Sequence, residues 1–182
     1  MLDRSRTYGR SPGNLRPALN DASTGHYWLM RRDLSQPLRA GAWPRSLCLV
    51  PFSAGNASAV HQLLMLGTEL GGGRVPELRT WLEGFDSDPE FDRRLCFVVE
   101  DSSGVVAVAQ CWTSSFIRNL VVHPRAQGRG VGLALLRRVF EAFAERHEGQ
   151  VDLKVMESNL TARRVYERAG MQYVQRCELE AH

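Results

Sequence analysis

The stretch that decides the fold is His123-Pro124-Arg125-Ala126-Gln127-Gly128-Arg129-Gly130-Val131-Gly132. It follows an apolar run at residues 116–123 that is typical of a strand, and it opens a helical pattern over residues 131–147. Glycine at every second position allows positive φ and a close approach of the backbone to a ligand. The N–H groups of a first helical turn lack partners inside the helix and favour an anion such as pyrophosphate. The stretch predicts either a phosphate-binding turn or a tight glycine turn without a ligand.

Two better-known phosphate motifs do not fit this stretch. No Gly-Lys-Ser/Thr follows the glycines, so the turn is not a P-loop. The spacing also differs from the Gly-x-Gly-x-x-Gly fingerprint of dinucleotide-binding proteins. Nucleoside triphosphate hydrolysis and nicotinamide chemistry are therefore not indicated.

Outward from the glycine turn, the hydrophobic pattern predicts alternating strands and helices. Two strands at residues 95–100 and 105–112 are joined by Asp101-Ser102-Ser103-Gly104, which is typical of a hairpin. Strands 116–123 and 151–156 flank the long helix, so we expect a parallel pair with a right-handed crossover. The other predicted strands are 46–52, 171–179 and, as a possible extra strand, 27–30. The other predicted helices begin at Asn56 and at Leu160, and a third from about Pro76 to Glu83 is followed by an acidic loop at residues 86–90. This order predicts an α/β fold with a mixed sheet.

Composition and charge divide the chain into two parts. The 182 residues are 43% hydrophobic and 24% charged, which is typical of one globular domain and excludes collagen, coiled coil and general disorder. The formal net charge is +3, but residues 1–45 hold eight arginines against three aspartates. We therefore predict a basic N-terminal tail and connector at 1–45 and a nearly neutral domain at 46–182. Because that domain is close to neutral, its charge gives no electrostatic support to nucleic-acid binding.

Cysteines and apolar runs point away from metals, disulfides and membranes. Cys48, Cys96, Cys111 and Cys177 show neither Cys-x-x-Cys spacing nor a nearby histidine, which favours buried thiols in a reducing compartment and no metal. The N-terminus lacks the apolar core of a secretory signal. The longest purely apolar run, residues 105–109, is too short to cross a bilayer. We expect a cytoplasmic protein.

Two motifs resemble a known family. Gln127-Gly128-Arg129-Gly130-Val131-Gly132 resembles the Arg/Gln-x-x-Gly-x-Gly/Ala motif of the GCN5-related N-acetyltransferases, the GNAT superfamily. Downstream, residues 159–171 are similar to the family's Asn-x-x-Ala-x-x-x-Tyr-x-x-x-Gly-Phe signature, with Met171 in place of the phenylalanine. The resemblance covers residues 46–179, and both motifs stand in the order and context that the family fold requires.

The resemblance implies a GNAT-like fold, with a mixed, mostly antiparallel sheet whose parallel strand pair splays apart, flanked by helices. It also implies acetyl-CoA as cosubstrate: the strand backbone pairs with pantetheine, and the glycine-turn amides hold the pyrophosphate, with Arg125 and Arg129 at its rim. Asn159 is either a ligand of pantetheine or simply a helix cap. The cofactor-binding residues expected are Leu120, Val121, Val122, Gln127, Gly128, Arg129, Gly130, Val131, Gly132, Leu133 and Asn159.

The same resemblance assigns one catalytic role. Tyr166 matches the tyrosine that protonates the departing CoA thiolate in many relatives, and a phenol stays protonated at neutral pH. The alternative is a tyrosine that only packs on the sheet. The strand before the glycine turn carries no carboxylate to serve as general base. Candidates elsewhere are Glu83, Asp86, Asp88, Glu90 and Glu100.

The acceptor is open at this point. The carboxylates of Glu83, Asp86, Asp88, Glu90 and Asp92 favour a cationic amine if they face the site, but such charge runs commonly face water. The function implied is acetyl transfer to an amine of a small molecule or peptide by direct attack on the thioester. The alternatives are an RNA- or protein-directed acetyltransferase and a CoA-binding sensor with weak activity. A homodimer is left open.

Overall fold

A computed structural model describes residues 25–38, 43–71 and 74–179 of the chain. These residues form seven strands and four α-helices. The strands are β1 (His26–Asp33), β2 (Cys48–Pro51), β3 (Phe91–Asp101), β4 (Gly104–Trp112), β5 (Phe116–Val122), β6 (Gln150–Met156) and β7 (Gln172–Glu178). The helices are α1 (Ala57–Gly71), α2 (Leu78–Ser87), α3 (Val131–Glu145) and α4 (Leu160–Arg168), with a short 3₁₀ turn at Pro124–Ala126.

The strands form one mixed sheet in the order β2-β3-β4-β5-β6-β1-β7. Only the β5–β6 pair among these neighbours is parallel, and α3 makes the crossover between its two strands. The predicted hairpin is the β3–β4 pair, in which Asp101 lies opposite Gly104. The predicted α/β class, the mixed sheet and the parallel pair are therefore confirmed.

Helices cover both faces of the sheet, and each face has its own apolar core. On one face, α1 and α2 pack on β3 and β4; the buried residues there include Val60, Leu64, Trp81, Phe85, Val98 and Val108. On the other face, α3 and α4 pack on the central strands; the buried residues there include Ile117, Leu135, Val139, Phe140, Leu153 and Tyr166. In the part of the chain described, no helix is both long and apolar enough to cross a membrane.

The sheet includes a strand that the charge division placed outside the domain. β1 pairs with β6 on one side and with β7 on the other, and Met30 is fully buried. The possible strand at 27–30 is therefore real and lies inside the sheet. The change in charge at residue 46 therefore does not coincide with the start of the sheet, which begins at His26 within the described residues.

The second helix is longer than its pattern predicted. We expected it to end near Glu83, but α2 continues to Ser87. Trp81 and Phe85 are one turn apart on the same face and are 4% and 8% exposed, so the apolar stripe extends past Glu83. Asp86 is consequently a helical residue and not part of an acidic loop.

Candidate active site

The central feature of the site is the divergence of β5 and β6. The two strands pair only where Phe116 lies opposite Asp152 and Ile117 lies opposite Leu153. Next to this pairing, the β4–β5 register shifts between Gln110 and Cys111, so that Arg118 is an extra residue in β5. Such a bulge bends its strand. Beyond it, Leu120, Val121 and Val122 have β4 as their partner on one side and the β5–β6 cleft on the other.

The backbone of β5 offers hydrogen-bonding groups to this cleft at alternate residues. The His123 N–H donates to the Val106 carbonyl oxygen at 2.8 Å, and Val121 lies opposite Val108. Because the backbone groups of successive strand residues alternate in direction, those of Val121 point to β4, and those of Leu120 and Val122 point into the cleft. The backbone groups of Val121 therefore do not face the cleft, although the sequence motif predicted the same cofactor contact for Leu120, Val121 and Val122.

Gln127 ties the end of β5 to the turn that follows. Its Nε2 donates a hydrogen bond to the Val122 carbonyl oxygen at 2.9 Å. That carbonyl is already satisfied, so the groups of β5 left for a ligand are both backbone groups of Leu120 and the N–H of Val122. Gln127 therefore holds the turn against β5. This structural role was not part of the prediction, which gave Gln127 only a contact with the cofactor.

The glycine turn has the backbone that the motif requires. Gly128 has φ 72° and Gly130 has φ 78°, both in the left-handed region that disfavours other residues. A Cβ atom at either position meets nothing within 4 Å, so conformation, not packing, requires glycine here, and the space above the turn is open. At Gly132 a Cβ atom would make ordinary contacts, 3.5 Å from Val122 Cγ2 and 3.7 Å from Val165 Cγ1.

The amino terminus of α3 faces this open space with free donors. Gly130 is the N-cap residue and has no side chain to cap the helix, and the first helical hydrogen bond is from Ala134 N to the Gly130 carbonyl oxygen at 3.0 Å. The N–H groups of Val131, Gly132 and Leu133 therefore have no partner within the helix. Together with the helix dipole, they form a site suited to a phosphate group.

The two arginines of the turn have different surroundings. Arg125 pairs with Asp101 and donates through Nη2 to the carbonyl oxygens of Gly104 and Val105, at 3.3 and 3.4 Å. The hydrogen bond from Arg125 holds the pKa of the Asp101 carboxyl below its usual range. Arg125 thus fastens the turn to the β3–β4 hairpin through its guanidinium group. Arg129 is exposed and donates to Ser46 Oγ at 3.2 Å.

Asn159 and Tyr166 lie on the helix that follows β6. Asn159 Oδ1 accepts from Ala162 N at 3.1 Å, which makes Asn159 the N-cap of α4. Tyr166 is 7% exposed and belongs to the core between α3, α4 and the sheet. Burial raises the pKa of Tyr166 to about 12, so the phenol keeps its proton at neutral pH. In the structure Asn159 caps α4 and Tyr166 packs in the core. The cap is compatible with a ligand contact of Asn159, and the packing is compatible with a catalytic role of Tyr166.

Five of the six acidic residues considered have partners for their side chains among the described residues. Asp86 pairs with Arg93 at 2.9 Å, and Glu83 pairs with Arg79 at 2.9 Å. Asp92 lies 3.1 Å from Arg94 and 3.6 Å from Arg146, and Glu90 Oε2 accepts from Ser114 Oγ at 2.6 Å. Asp88 Oδ1 accepts from the Glu90 backbone N at 3.0 Å, and Glu100 lies on β3 opposite Cys48. These contacts do not single out a general base, and they weaken the case for an acidic acceptor surface.

A buried polar group near the bulge was not singled out from the sequence. Gln110 is 1% exposed, and its Oε1 accepts hydrogen bonds from Trp81 Nε1 at 3.2 Å and from Asn119 Nδ2 at 3.3 Å. The signal was available, because Gln110 is the one polar residue in the apolar strand run 105–112. An isolated polar residue in such a run is generally buried with a partner.

Two further observations concern other parts of the surface. A cavity of about 600 Å³ lies between α3, the end of α4 and the segment after β1, and none of the predicted site residues lines it. Its lining includes Arg32, Arg137 and Glu167. Within residues 25–38, 43–71 and 74–179, no three histidine, cysteine, aspartate or glutamate side chains are close enough to hold a metal ion.

Comparison with known proteins gives the same family by sequence. The model of the acetyltransferase (GNAT) family matches residues 60–171, which is more than half of the chain. Mycothiol acetyltransferase from Beutenbergia cavernae is 28% identical over 192 residues, which cover 90% of this chain and 61% of that protein. The chain therefore spans less than two thirds of this curated relative.

Solved structures agree on the fold. A GCN5-related N-acetyltransferase from Sphaerobacter thermophilus superposes with a TM-score of 0.69 at 27% identity, over 84% of this chain and 50% of that chain. The ribosomal-protein-S18-alanine N-acetyltransferase from Escherichia coli superposes with a TM-score of 0.53 at 19% identity, over 68% of this chain and 76% of that chain. At that identity the second match concerns the fold alone.

Proposed function

Because the chain belongs to the GNAT acetyltransferase family, we propose that it transfers the acetyl group of acetyl-CoA to an amine of a small molecule or peptide. The observation that carries this proposal is the β5–β6 cleft beside the glycine turn. Leu120 and Val122 offer backbone groups along one edge, and the amides of α3 stand at its end. An extended pantetheine arm with a pyrophosphate at one end matches this arrangement of donors and acceptors.

The proposed reaction is a direct transfer. The amine nitrogen attacks the thioester carbonyl carbon, a C–N bond forms, the C–S bond breaks, and the amine proton leaves to solvent or a base. The Val122 N–H, which points into the cleft, is suited to polarise the thioester carbonyl. Tyr166 is the proposed proton donor to the CoA thiolate, and its raised pKa is consistent with a phenol that is protonated before the step.

The kind of acceptor is less constrained than the donor. Glu83, Asp86 and Asp92 are paired with arginines, so a cationic acceptor held by several free carboxylates is not favoured. A small molecule or a peptide amino group remains the proposal. An RNA-directed role would use arginines of the N-terminal part of the chain to contact phosphates. Two of them are engaged within the fold, since Arg31 pairs with Asp152 and Arg32 donates to the carbonyl oxygens of Gln36 and Pro37.

An amine panel tests the proposal. The full chain is incubated with acetyl-CoA and, in turn, with cysteine, glucosamine, spermidine and a peptide with a free amino terminus, and acetylated products are measured by mass spectrometry. We expect an N-acetyl product with at least one amine, at a rate well above that without enzyme. Binding of acetyl-CoA without any product indicates a sensor instead, and absence of binding contradicts the proposal as a whole.

A further inference from the structure

Trp81 of α2, Gln110 of β4 and Asn119 of β5 form a series of hydrogen bonds between side chains. This series determines the orientation of the Asn119 amide. An indole N–H only donates, so the atom of Gln110 that meets Trp81 Nε1 must be the acceptor Oε1. That oxygen also meets the Asn119 amide, and the atom facing it must then be the donor Nδ2. One unambiguous donor on α2 thus fixes the orientation of two amides in sequence.

The consequence concerns the other end of the Asn119 amide. Gln110 lies on β4, directly opposite Asn119, and β4 is the neighbour of β5 on the side away from β6. Nδ2 is therefore directed toward Gln110 on β4, and Oδ1, the other atom of the same amide, is turned away from Gln110. Asn119 is half-buried and Gln110 is 1% exposed, so only Asn119 is within reach of a ligand.

Gln110, the buried residue of this series, occupies a position where an apolar residue would be expected. Gln110 lies between Ala109 and Cys111, which are 0% and 1% exposed, and its Nε2 has no hydrogen-bond partner. A buried amide donor without a partner lowers stability, and an apolar side chain against Trp81 would avoid that cost. Gln110 thus lowers stability and lies beside the bulge that bends β5. This combination indicates a functional role for Gln110.

We infer that Asn119 is a specificity-determining residue for the acceptor, with Oδ1 accepting a hydrogen bond from the N–H of the attacking amine, and that Gln110 and Trp81 are positioning residues that hold it. This inference rests on the proposed function. The carbonyl oxygen selects an acceptor that presents a donor to the α1–α2 side of the cleft. An Asn119 amide turned the other way would present N–H donors, which would hydrogen-bond to the lone pair that the amine needs for attack.

Steady-state kinetics with the best amine of the panel test this inference. Asn119→Ala removes the acceptor atom, and we expect roughly a tenfold rise in the KM for the amine, the order of one lost hydrogen bond. The KM for acetyl-CoA should stay unchanged. Trp81→Phe keeps an aromatic ring beside Phe52 and Phe85 but removes the N–H, and we expect a smaller rise in the same KM.

A double-mutant cycle separates positioning from packing. If Trp81 acts through Asn119, adding Trp81→Phe to Asn119→Ala should not raise the amine KM further. Trp43→Phe is the matched control, because it removes an indole hydrogen bond, Trp43 Nε1 to the Leu47 carbonyl oxygen at 2.8 Å, outside the cleft. We expect Trp43→Phe to lower the melting temperature without a change in the amine KM. Additive effects, or an unchanged KM in Asn119→Ala, overturn the inference.

A spectroscopic readout keeps the inference testable if no amine of the panel is acetylated, an outcome that counts against the proposed function. In the folded protein, NMR measures the hydrogen exchange of the Asn119 side-chain amide. We expect slow exchange in the natural chain and fast exchange in Trp81→Phe, since the indole then no longer fixes Gln110. Equal exchange in both proteins overturns the orientation of Asn119 whatever the activity.

Discussion

The burial of Tyr166 favours one requirement of a proton donor and opposes another. Burial secures its proton and makes it part of the core, yet a proton donor must reach the departing thiolate. A phenol with a pKa of about 12 is a weaker acid than a free one, so its contribution depends on proximity to the sulfur more than on acidity. Changing its hydroxyl alone distinguishes a catalytic tyrosine from a packing tyrosine.

Tyr166→Phe retains the ring and removes the proton donor. We expect single-turnover rates of acetyl transfer to fall by about 10²–10⁴-fold, with little change in acetyl-CoA affinity. Tyr173→Phe is the matched control, because Tyr173 lies on the exposed strand β7 and its hydroxyl contacts Arg163 and Glu167 of α4. A fully active Tyr166→Phe enzyme would leave only the packing role.

Gly130 is a second residue whose role a single change reveals. Gly130→Val forces a β-branched side chain into positive φ and fills the open space before α3. We expect the rise in melting temperature on adding acetyl-CoA to disappear.

The control for Gly130→Val is Gly104→Val, at a glycine with φ 107° and equally open surroundings in the β3–β4 turn. It imposes a similar backbone strain but lies outside the proposed site, so the acetyl-CoA response should persist. Loss of the response in both variants, or in neither, is inconsistent with a phosphate site at the glycine turn.

At the residue scale, motifs were more informative than individual side chains. The glycine spacing indicated positive φ values, which Gly128 and Gly130 have. Asn159 caps α4, which was one of the two roles that its motif left open. No local pattern indicated that Arg125 pairs with Asp101 or that Gln127 bonds to Val122. Asp101 is 24 residues away, and the Gln127 contact needs the turn already folded against β5. The orientation of Asn119 likewise depends on a donor from α2.

Among the elements, α1 and β5 have the closest approach that bears on the site. A Cβ atom at Gly67 of α1 would lie 2.4 Å from Val121 Cγ2, and Val121 is flanked by the two residues that face the cleft. The absence of a side chain at residue 67 therefore lets the helix press on the strand that lines the proposed cofactor site.

Gly67→Ala should disturb both stability and binding. Overpacking against a stiff β-branched side chain costs about 1–3 kcal/mol, which we expect to exceed the gain of about 1 kcal/mol in helix propensity. Chemical denaturation should show a loss of stability, and acetyl-CoA should bind more weakly, because β5 shifts.

Gly84→Ala on α2 provides the comparison, since its Cβ atom would lie 3.7 Å from Phe91 Cε2, an ordinary contact. That variant should be neutral or slightly stabilised. If both variants behave alike, the contact between α1 and β5 has no special importance.

The elements themselves were largely predictable because their hydrophobic periods are clear. The hairpin signal, the long helix α3 and the strands around the glycine turn all agree with the structure. The end of α2 was missed because a charged run suggested a loop, whereas Trp81 and Phe85 continue the buried stripe beneath it. Pairing partners, such as β1 between β6 and β7, are set by long-range contacts that no local pattern carries.

For the whole molecule, the main revision concerns the start of the sheet. β1 lies between β6 and β7, so within the described residues β7 joins the sheet through its pairing with β1. The Arg31–Asp152 contact at 2.7 Å adds an ion pair across β1 and β6. Of the predicted tail and connector at residues 1–45, residues 1–24 and 39–42 lie outside the described residues.

Two truncated chains test where the folded unit begins. A chain that starts at Asp21 keeps β1, and we expect cooperative unfolding and an unchanged acetyl-CoA response. A chain that starts at Leu34 lacks β1 and leaves β6 and β7 without their common partner, so we expect loss of cooperative unfolding. Circular dichroism melts with and without acetyl-CoA measure both effects. Unfolding of the longer chain would show that residues 1–20 are part of the fold.

The most direct test of the central claim, that acetyl-CoA lies along β5 in the β5–β6 cleft, is residue-resolved amide hydrogen exchange with and without acetyl-CoA. We predict new protection at the N–H groups of Leu120 and Val122 and at those of Val131, Gly132 and Leu133. Val121, whose N–H points to β4, should be protected in both states. Protection that does not alternate along β5, or that appears only outside the cleft, would contradict the account.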